Sequence, residues 1–236
     1  MTSRRLLLLR HGRTAWNAER RYQGQLNPPL DDTGRMQAWD VAPLIASTRP
    51  DLIVSSDAER ARQTAEVVAE ACRLPLTLEP RLRERSLGHW EGLTRDEVAE
   101  RYPDEFADWR AGRDVSRRGG ESRDEVAARA LAAFAELPRV PVTVLVTHSA
   151  TAMALCTALL GMAQTVHVLG PLANCHWSEL IAEEHDGEGG QGGEGGEGGE
   201  GEVWRLRAHN LGSPGVVLPL PVRLDAEVDE QSDADA

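Results

Sequence analysis

Arg4-Arg5-Leu6-Leu7-Leu8-Leu9-Arg10-His11-Gly12-Arg13-Thr14-Ala15-Trp16-Asn17 is the stretch from which the fold is read. Four leucines in a row, halted by Arg-His-Gly, mark Arg4–Leu9 as a short buried strand. Outward from it the same kind of signal recurs. Asp51–Ser55 and the β-branched run Val142–Thr147 read as strands, and Leu74–Leu78 as a further one. Asp57–Cys72 has helical spacing, with Ala61, Ala65, Val68 and Cys72 on one stripe. Glu121–Leu137 and the mostly apolar Ser149–Leu160 are two more helices. This alternation predicts an α/β protein of three layers, α/β/α, around a mostly parallel sheet.

Near the C-terminus, Cys175–Ile181 and Val203–Ala208 read as strands flanking residues 186–202, a run of Gly and Glu repeats. That run cannot bury apolar surface and is expected to be a disordered insertion within one domain spanning 1–224. Residues 225–236 read as an acidic, solvated tail.

Charge placement matters more than its sum. The 236 residues carry 26 bases and 38 acids, a net −12. Eight acids fall in 183–202 and six in 225–236, neither with a base, so the remainder holds 24 acids against 26 bases. The folded part is near neutral and is compatible with an anionic substrate, whereas nucleic acid is disfavoured as a partner. No apolar run reaches transmembrane length, and Leu6–Leu9 is too short for a signal-peptide core, so no membrane association is expected. Cys72, Cys156 and Cys175 lie far apart without a C-x-x-C pair, which points to a reducing cytoplasm and no structural zinc. Cys156 and Cys175 fall in apolar stretches and read as core. The assembly state stays open, a homodimer included.

Ligands of open α/β sheets bind at the carboxyl ends of strands. Here Leu6–Leu9 runs into Arg10-His11, Val142–Thr147 runs into His148-Ser149, and the strand ending at Ser55 leads to Arg60. Taken singly, His11 reads as a capping histidine, His148 as a structural one and Arg60 as a solvated helix residue. Two imidazoles and two guanidiniums meeting in one mouth suit a phosphoryl group. Arginine offers paired donors to its oxygens, and neutral imidazole is a nucleophile near neutral pH.

The segment from Leu6 to Asn17 resembles the signature of the histidine phosphatase superfamily, the phosphoglycerate mutase-like family. Further blocks follow in the family's order: Leu30-Asp-Asp-Thr-Gly34, Ser55-Ser56-Asp57 through Arg60 to Ala65, Leu82-Arg83-Glu84 through Trp90 to Gly92, and Val146-Thr147-His148. The resemblance covers roughly residues 4–182 and implies the following roles. His11 attacks phosphorus and becomes phosphohistidine. Arg10, Arg60 and His148 bind the phosphoryl oxygens. Glu84 protonates the leaving oxygen and then serves as base for water; Glu91, seven residues on, stands as the alternative acid. Thr14 and Asn17 line the pocket, and Ser149 opens a helix whose free N–H groups favour anions. No metal and no cofactor are implied. The chain departs from the family pattern at Ser149, where glycine is frequent, and at Asn27-Pro28-Pro29-Leu30, where an acid is common before Pro-Leu.

His89, His167, His176, His185 and His209 match no block. Arg113, Arg117, Arg118 and Arg123 read equally as a solvated loop or as holders of a second substrate anion. The 63 residues between Glu84 and His148, with Gly119-Gly120-Glu121-Ser122 opening a helix, resemble the phosphatase branch. Glycolytic mutases of the family carry a longer insertion there. Within that branch, Gln23-Gly24-Gln25-Leu26, Gly88 through Thr94 and Trp204-Arg-Leu206 resemble the actinobacterial glucosyl-3-phosphoglycerate phosphatases, and Gln23 and Gly24 join the expected substrate wall. The expected activity is hydrolysis of a small phosphorylated metabolite. Mutase-type phosphoryl transfer and a non-catalytic binding module on the same fold are the alternatives.

Overall fold

The computed structural model describes residues 3–166, 168–184 and 202–212. The Gly/Glu insertion, apart from Glu202, lies outside the described residues, as do His167, His185 and the acidic tail. The quoted leucine run forms β1 (Arg4–Arg10) near the centre of a six-stranded sheet. With β2 (Leu52–Ser55), β3 (Leu76–Leu78), β4 (Val142–Thr147), β5 (Trp177–Glu184) and β6 (Glu202–Leu211), the strand order is β3-β2-β4-β1-β5-β6. The first four are parallel, and β5 and β6 are antiparallel additions at one side.

The leucines are uniformly buried because β1 has helices on both faces. Leu7 and Leu9, with Val144, Val146 and Ile53, pack on Ala38, Val41 and Ile45 of α2 (Asp32–Ser47) and on Ala61, Ala65 and Val68 of α3 (Glu59–Cys72). Leu6 and Leu8, with Val54 and Leu145, pack on Ala130 and Phe134 of helix Arg123–Ala135 and on Ala152 and Leu155 of helix Ser149–Leu159. These are the three expected layers. A short α1 (Ala15–Ala18) follows the β1 loop. The segment after β3 supplies α4 (Arg95–Arg101) and α5 (Pro103–Arg110), which makes the two layer helices α6 and α7. Trp90, Val98 and Val115, packed against Tyr22 and Trp109, give this segment an apolar centre of its own.

Helix α2 is absent from the periodicity reading. Its buried stripe is made partly of small residues, Gly34, Ala38 and Ala42, and two residues that weaken helices, Gly34 and Pro43, lie inside it. Two features explain why it forms. Asp31 caps it, accepting from the Gly34 N–H at 2.7 Å. Pro43 lies on the exposed side, where the Trp39 carbonyl that loses its helical partner can turn to water. The helix expected from Glu121 begins instead at Arg123, because Ser122 and Glu125 form a reciprocal capping box.

The turn after β1 is pressed against the start of α2. A β-carbon on Gly34 would lie 2.0 Å from the Arg13 carbonyl oxygen, and one on Gly12 would lie 2.5 Å from the Gly34 carbonyl oxygen. Gly34→Ala is therefore expected to destabilise the fold by about 3 kcal/mol, since backbone must move. Gly170→Ala meets no atom within 4 Å and should stay within about 0.5 kcal/mol of wild type. Urea unfolding of the two variants measures both.

Candidate active site

Strand pairing assembles the site. Arg10 pairs with Thr147 in register, and the His11 N–H continues the ladder to the Thr147 carbonyl at 3.0 Å. His11 and His148 therefore leave neighbouring strands side by side, with ring centroids 5.1 Å apart. Both are buried. At the end of β2, Ser56 N–H bonds the Val146 carbonyl at 2.9 Å, which brings the head of α3 to the same place. Thr64 locks that helix to the β1 turn. Its hydroxyl donates to the Arg60 carbonyl at 2.8 Å and accepts the Gly12 N–H at 3.0 Å.

The geometry assigns the His11 tautomer. Nδ1 lies 2.7 Å from the Gly12 carbonyl, which can only accept, so Nδ1 carries the proton and Nε2 keeps its lone pair. Nε2 is 3.3 Å from Arg60 Nε. Burial, and then the charges of Arg60 and Arg10, hold the His11 pKa well below its ordinary 6.5. Burial and the same two arginines do likewise for His148. Arg60 is buried and donates to the Leu26 and Gly24 carbonyls at 2.8 and 2.9 Å. Burial draws its pKa down to about 10, still high enough to keep its charge near neutral pH. The Gly24 carbonyl is available because that residue takes φ +49°, a conformation in which glycine is unstrained. Arg10 donates to the Leu172 carbonyl at 2.6 Å, and its buried Nε has no partner among the described residues.

Glu84 and Glu91 separate clearly. Glu84 lies in the wall of the cavity that contains His11, Arg10 and Arg60. Its carboxylate accepts the Ala150 and Thr151 N–H groups, each at 3.3 Å, at the start of α7. Glu91 instead ties loops together, accepting from Leu87 N–H at 2.8 Å and Gln25 N–H at 3.2 Å. Two first-turn donors of α7 are thus directed at Glu84, although Ser149 does line the cavity. That changes the expectation of a helix start left free for the substrate anion.

The remaining expected residues fall in different places. Asn17, Gln23 and Gly24 line the cavity. Thr14 is fully buried behind that wall and caps α1 by a reciprocal box with Asn17. Asn17 Oδ1 accepts from Thr14 N–H, Thr14 Oγ1 and Asn174 Nδ2, which orients its amide donors away from these partners. Asn174 also donates to the His11 carbonyl at 3.0 Å. Sequence reading missed Asn174, because nothing in its apolar neighbourhood marks it. It also missed Thr64 as a tie between turn and helix, although Thr64 stood in a quoted block.

The basic cluster divides. Arg113 and Arg117 both pair with Asp108 near the surface. Arg118 is buried, 5.4 Å from the centre of the Trp90 ring. Arg123 alone among the four reaches the cavity wall, where it shares Asp114 with Arg85. The cavity, about 420 Å³, continues outward between these arginines and an apolar wall that includes Trp109, Met153 and Leu169. The other described histidines serve structure: His89 meets Glu105, His176 its neighbour Asn174, and His209 meets Ser178 and Gly170. All three cysteines are free, with Cys156 and Cys175 buried. Among the described residues no cluster of His, Cys, Asp or Glu is placed to hold a metal, and no helix is long and apolar enough to cross a membrane.

Residues 6–189 match the histidine phosphatase superfamily (branch 1), and the chain belongs to that family. Its relatives include a glucosyl-3-phosphoglycerate phosphatase of Mycolicibacterium vanbaalenii, 38% identical over 219 residues, covering 88% of this chain and 97% of the relative. A protein of Escherichia fergusonii named "Probable phosphoglycerate mutase GpmB" is 37% identical, covering 75% of this chain and 84% of the other. Among solved structures, a mycobacterial glucosyl-3-phosphoglycerate phosphatase in complex with VO3 superposes with a TM-score of 0.75 at 35% identity, covering 88% of this chain and 99% of that one.

Two buried histidines with lowered pKa values make stability depend on pH. Below 6.5 the unfolded chain binds protons that the folded chain refuses. The stability is therefore complete above 6.5 and is lost as pH falls toward the lower folded values, by up to about 1.4 kcal/mol per pH unit for each histidine. Urea unfolding of the ligand-free protein above and below 6.5 reads this slope, and His148→Gln should make it shallower.

Proposed function

We propose that this protein hydrolyses small phosphate monoesters through a phosphohistidine on His11. The observation that carries the reading is the His11 tautomer: a neutral buried ring with its Nδ1 proton engaged by the Gly12 carbonyl and its Nε2 lone pair beside Arg60. Nε2 attacks phosphorus, the P–N bond forms and the ester P–O bond breaks. The protonated Glu84 carboxyl gives its proton to the leaving oxygen. Water then attacks phosphorus as Glu84 takes its proton, the P–N bond breaks, and inorganic phosphate leaves a neutral His11. Arg10, Arg60 and His148 hold the phosphoryl oxygens, so the chain's own cations neutralise the charge that develops. Asn17, Gln23, Gly24 and Ser149 bound the substrate; Thr14 acts through Asn17.

The preferred substrate is glucosyl-3-phosphoglycerate. The names of the relatives support it, and so does the outer cavity. There Arg85 and Arg123 line the wall, and guanidiniums suit an ester that carries a second anionic group. Three free cysteines fit the expected cytoplasmic setting. Mutase-type transfer is the second reading, favoured by the GpmB-named relative.

Phosphate release from glucosyl-3-phosphoglycerate, 3-phosphoglycerate and a nitrophenyl ester, with EDTA present, tests the reading. Hydrolysis of all three is expected, fastest for the glucosyl ester; conversion of 3-phosphoglycerate to its 2-isomer without phosphate release would favour the mutase. Glu84→Gln should lower kcat/KM for the sugar-acid ester by about 100-fold or more. It should lower that for the nitrophenyl ester far less, because nitrophenolate leaves without a proton. Equal losses on both would remove Glu84 from the acid role.

A further inference from the structure

We infer that Ser56 is a positioning residue that sets the tautomer of His148, giving its hydroxyl proton to Nε2 so that Nδ1–H becomes the donor to the phosphoryl group held at His11. Ser56 has this role only where a phosphoryl group visits the site proposed above. Its placement follows from the sheet. The N–H bond from Ser56 to the Val146 carbonyl fixes it beside the end of β4, two residues before His148. From there Oγ reaches His148 Nε2 at 2.9 Å. Both residues are fully buried, so water does not compete for either group.

The direction of that hydrogen bond comes from counting protons. Ser56 Oγ already accepts the Ala58 N–H at 3.2 Å. A hydroxyl that accepts one bond still has one proton to give. Among the described residues its acceptor is His148 Nε2. The reverse arrangement, Nε2–H donating to Ser56, would leave the hydroxyl proton without an acceptor. It would also turn the Nδ1 lone pair, rather than an N–H, toward an incoming anion. Nδ1 is buried and has no partner among the described residues, which leaves it free to donate to a phosphoryl oxygen. The His148 ring is neutral through burial and the nearby arginine charges, so it carries one N–H and the choice of nitrogen matters.

Protein carrying ¹⁵N-labelled histidine, with inorganic phosphate bound, reports the tautomer directly. The His148 signals are assigned by their loss in His148→Gln. Wild type is expected to show a protonated Nδ1 and a bare Nε2. In Ser56→Ala the Nε2–H form should gain population, and kcat should fall about tenfold or more, with KM moving less. A wild-type spectrum showing Nε2–H or a doubly protonated ring overturns the inference, even if Ser56→Ala fails to fold. So does a Ser56→Ala protein that keeps the wild-type tautomer or the wild-type kcat. Because the spectrum is read without turnover, a protein that binds phosphate but hydrolyses nothing would remove the phosphatase reading and leave the tautomer result standing.

Discussion

The parallel pairing of β1 with β4, in the register that sets Arg10 opposite Thr147, is the interaction on which the site depends. It forces two imidazoles together in a buried place and then adds two guanidiniums. Four groups able to carry positive charge cannot all be charged there without a counterion. The chain meets the difficulty unevenly. The histidines stay neutral, as burial beside cations requires. The arginines keep their charge against burial with the Glu84 carboxylate nearby, and they donate to backbone carbonyls, Arg60 to Leu26 and Gly24 and Arg10 to Leu172. A phosphoryl group matches the charge and the paired donors of these guanidiniums.

This also explains why so much of the molecule is rigid around a few atoms. Gly12 and Gly34 approach so closely that neither tolerates a β-carbon, and the contact fixes the turn carrying His11 against α2. Thr64 binds that turn to α3, and Asn174 holds the His11 carbonyl from the loop before β5. None of these residues meets the reacting phosphorus in the proposed mechanism. Each removes a freedom that the nucleophile would otherwise have.

The centre of the sheet was legible in the sequence because β1, β2 and β4 are buried on both faces and read as runs of apolar and β-branched residues, Leu6–Leu9 and Val142–Val146 most clearly. The histidines and arginines of the site were legible because strand ends and helix starts have fixed places in an α/β layer fold. What periodicity did not reveal is physically distinct. Helix α2 buries alanines and a glycine, which carry little hydrophobic signal. Thr14 and Asn17 form a helix cap before they form a pocket, so only one of them reaches the cavity. The choice between Glu84 and Glu91 depends on which loop each side chain faces, and Asn174 acts through a backbone carbonyl 163 residues away in sequence. Spacing carries no trace of either.

The central claim is that the phosphoryl group rests on His11 Nε2 between substrate and water. Mixing the enzyme with a ³²P-labelled ester, quenching in alkali on the millisecond scale and mapping the label tests it most directly. The account predicts label on the peptide containing His11, stable in alkali, lost in acid and chased into inorganic phosphate as fast as turnover. Label on another residue, or full turnover by His11→Ala, would contradict it.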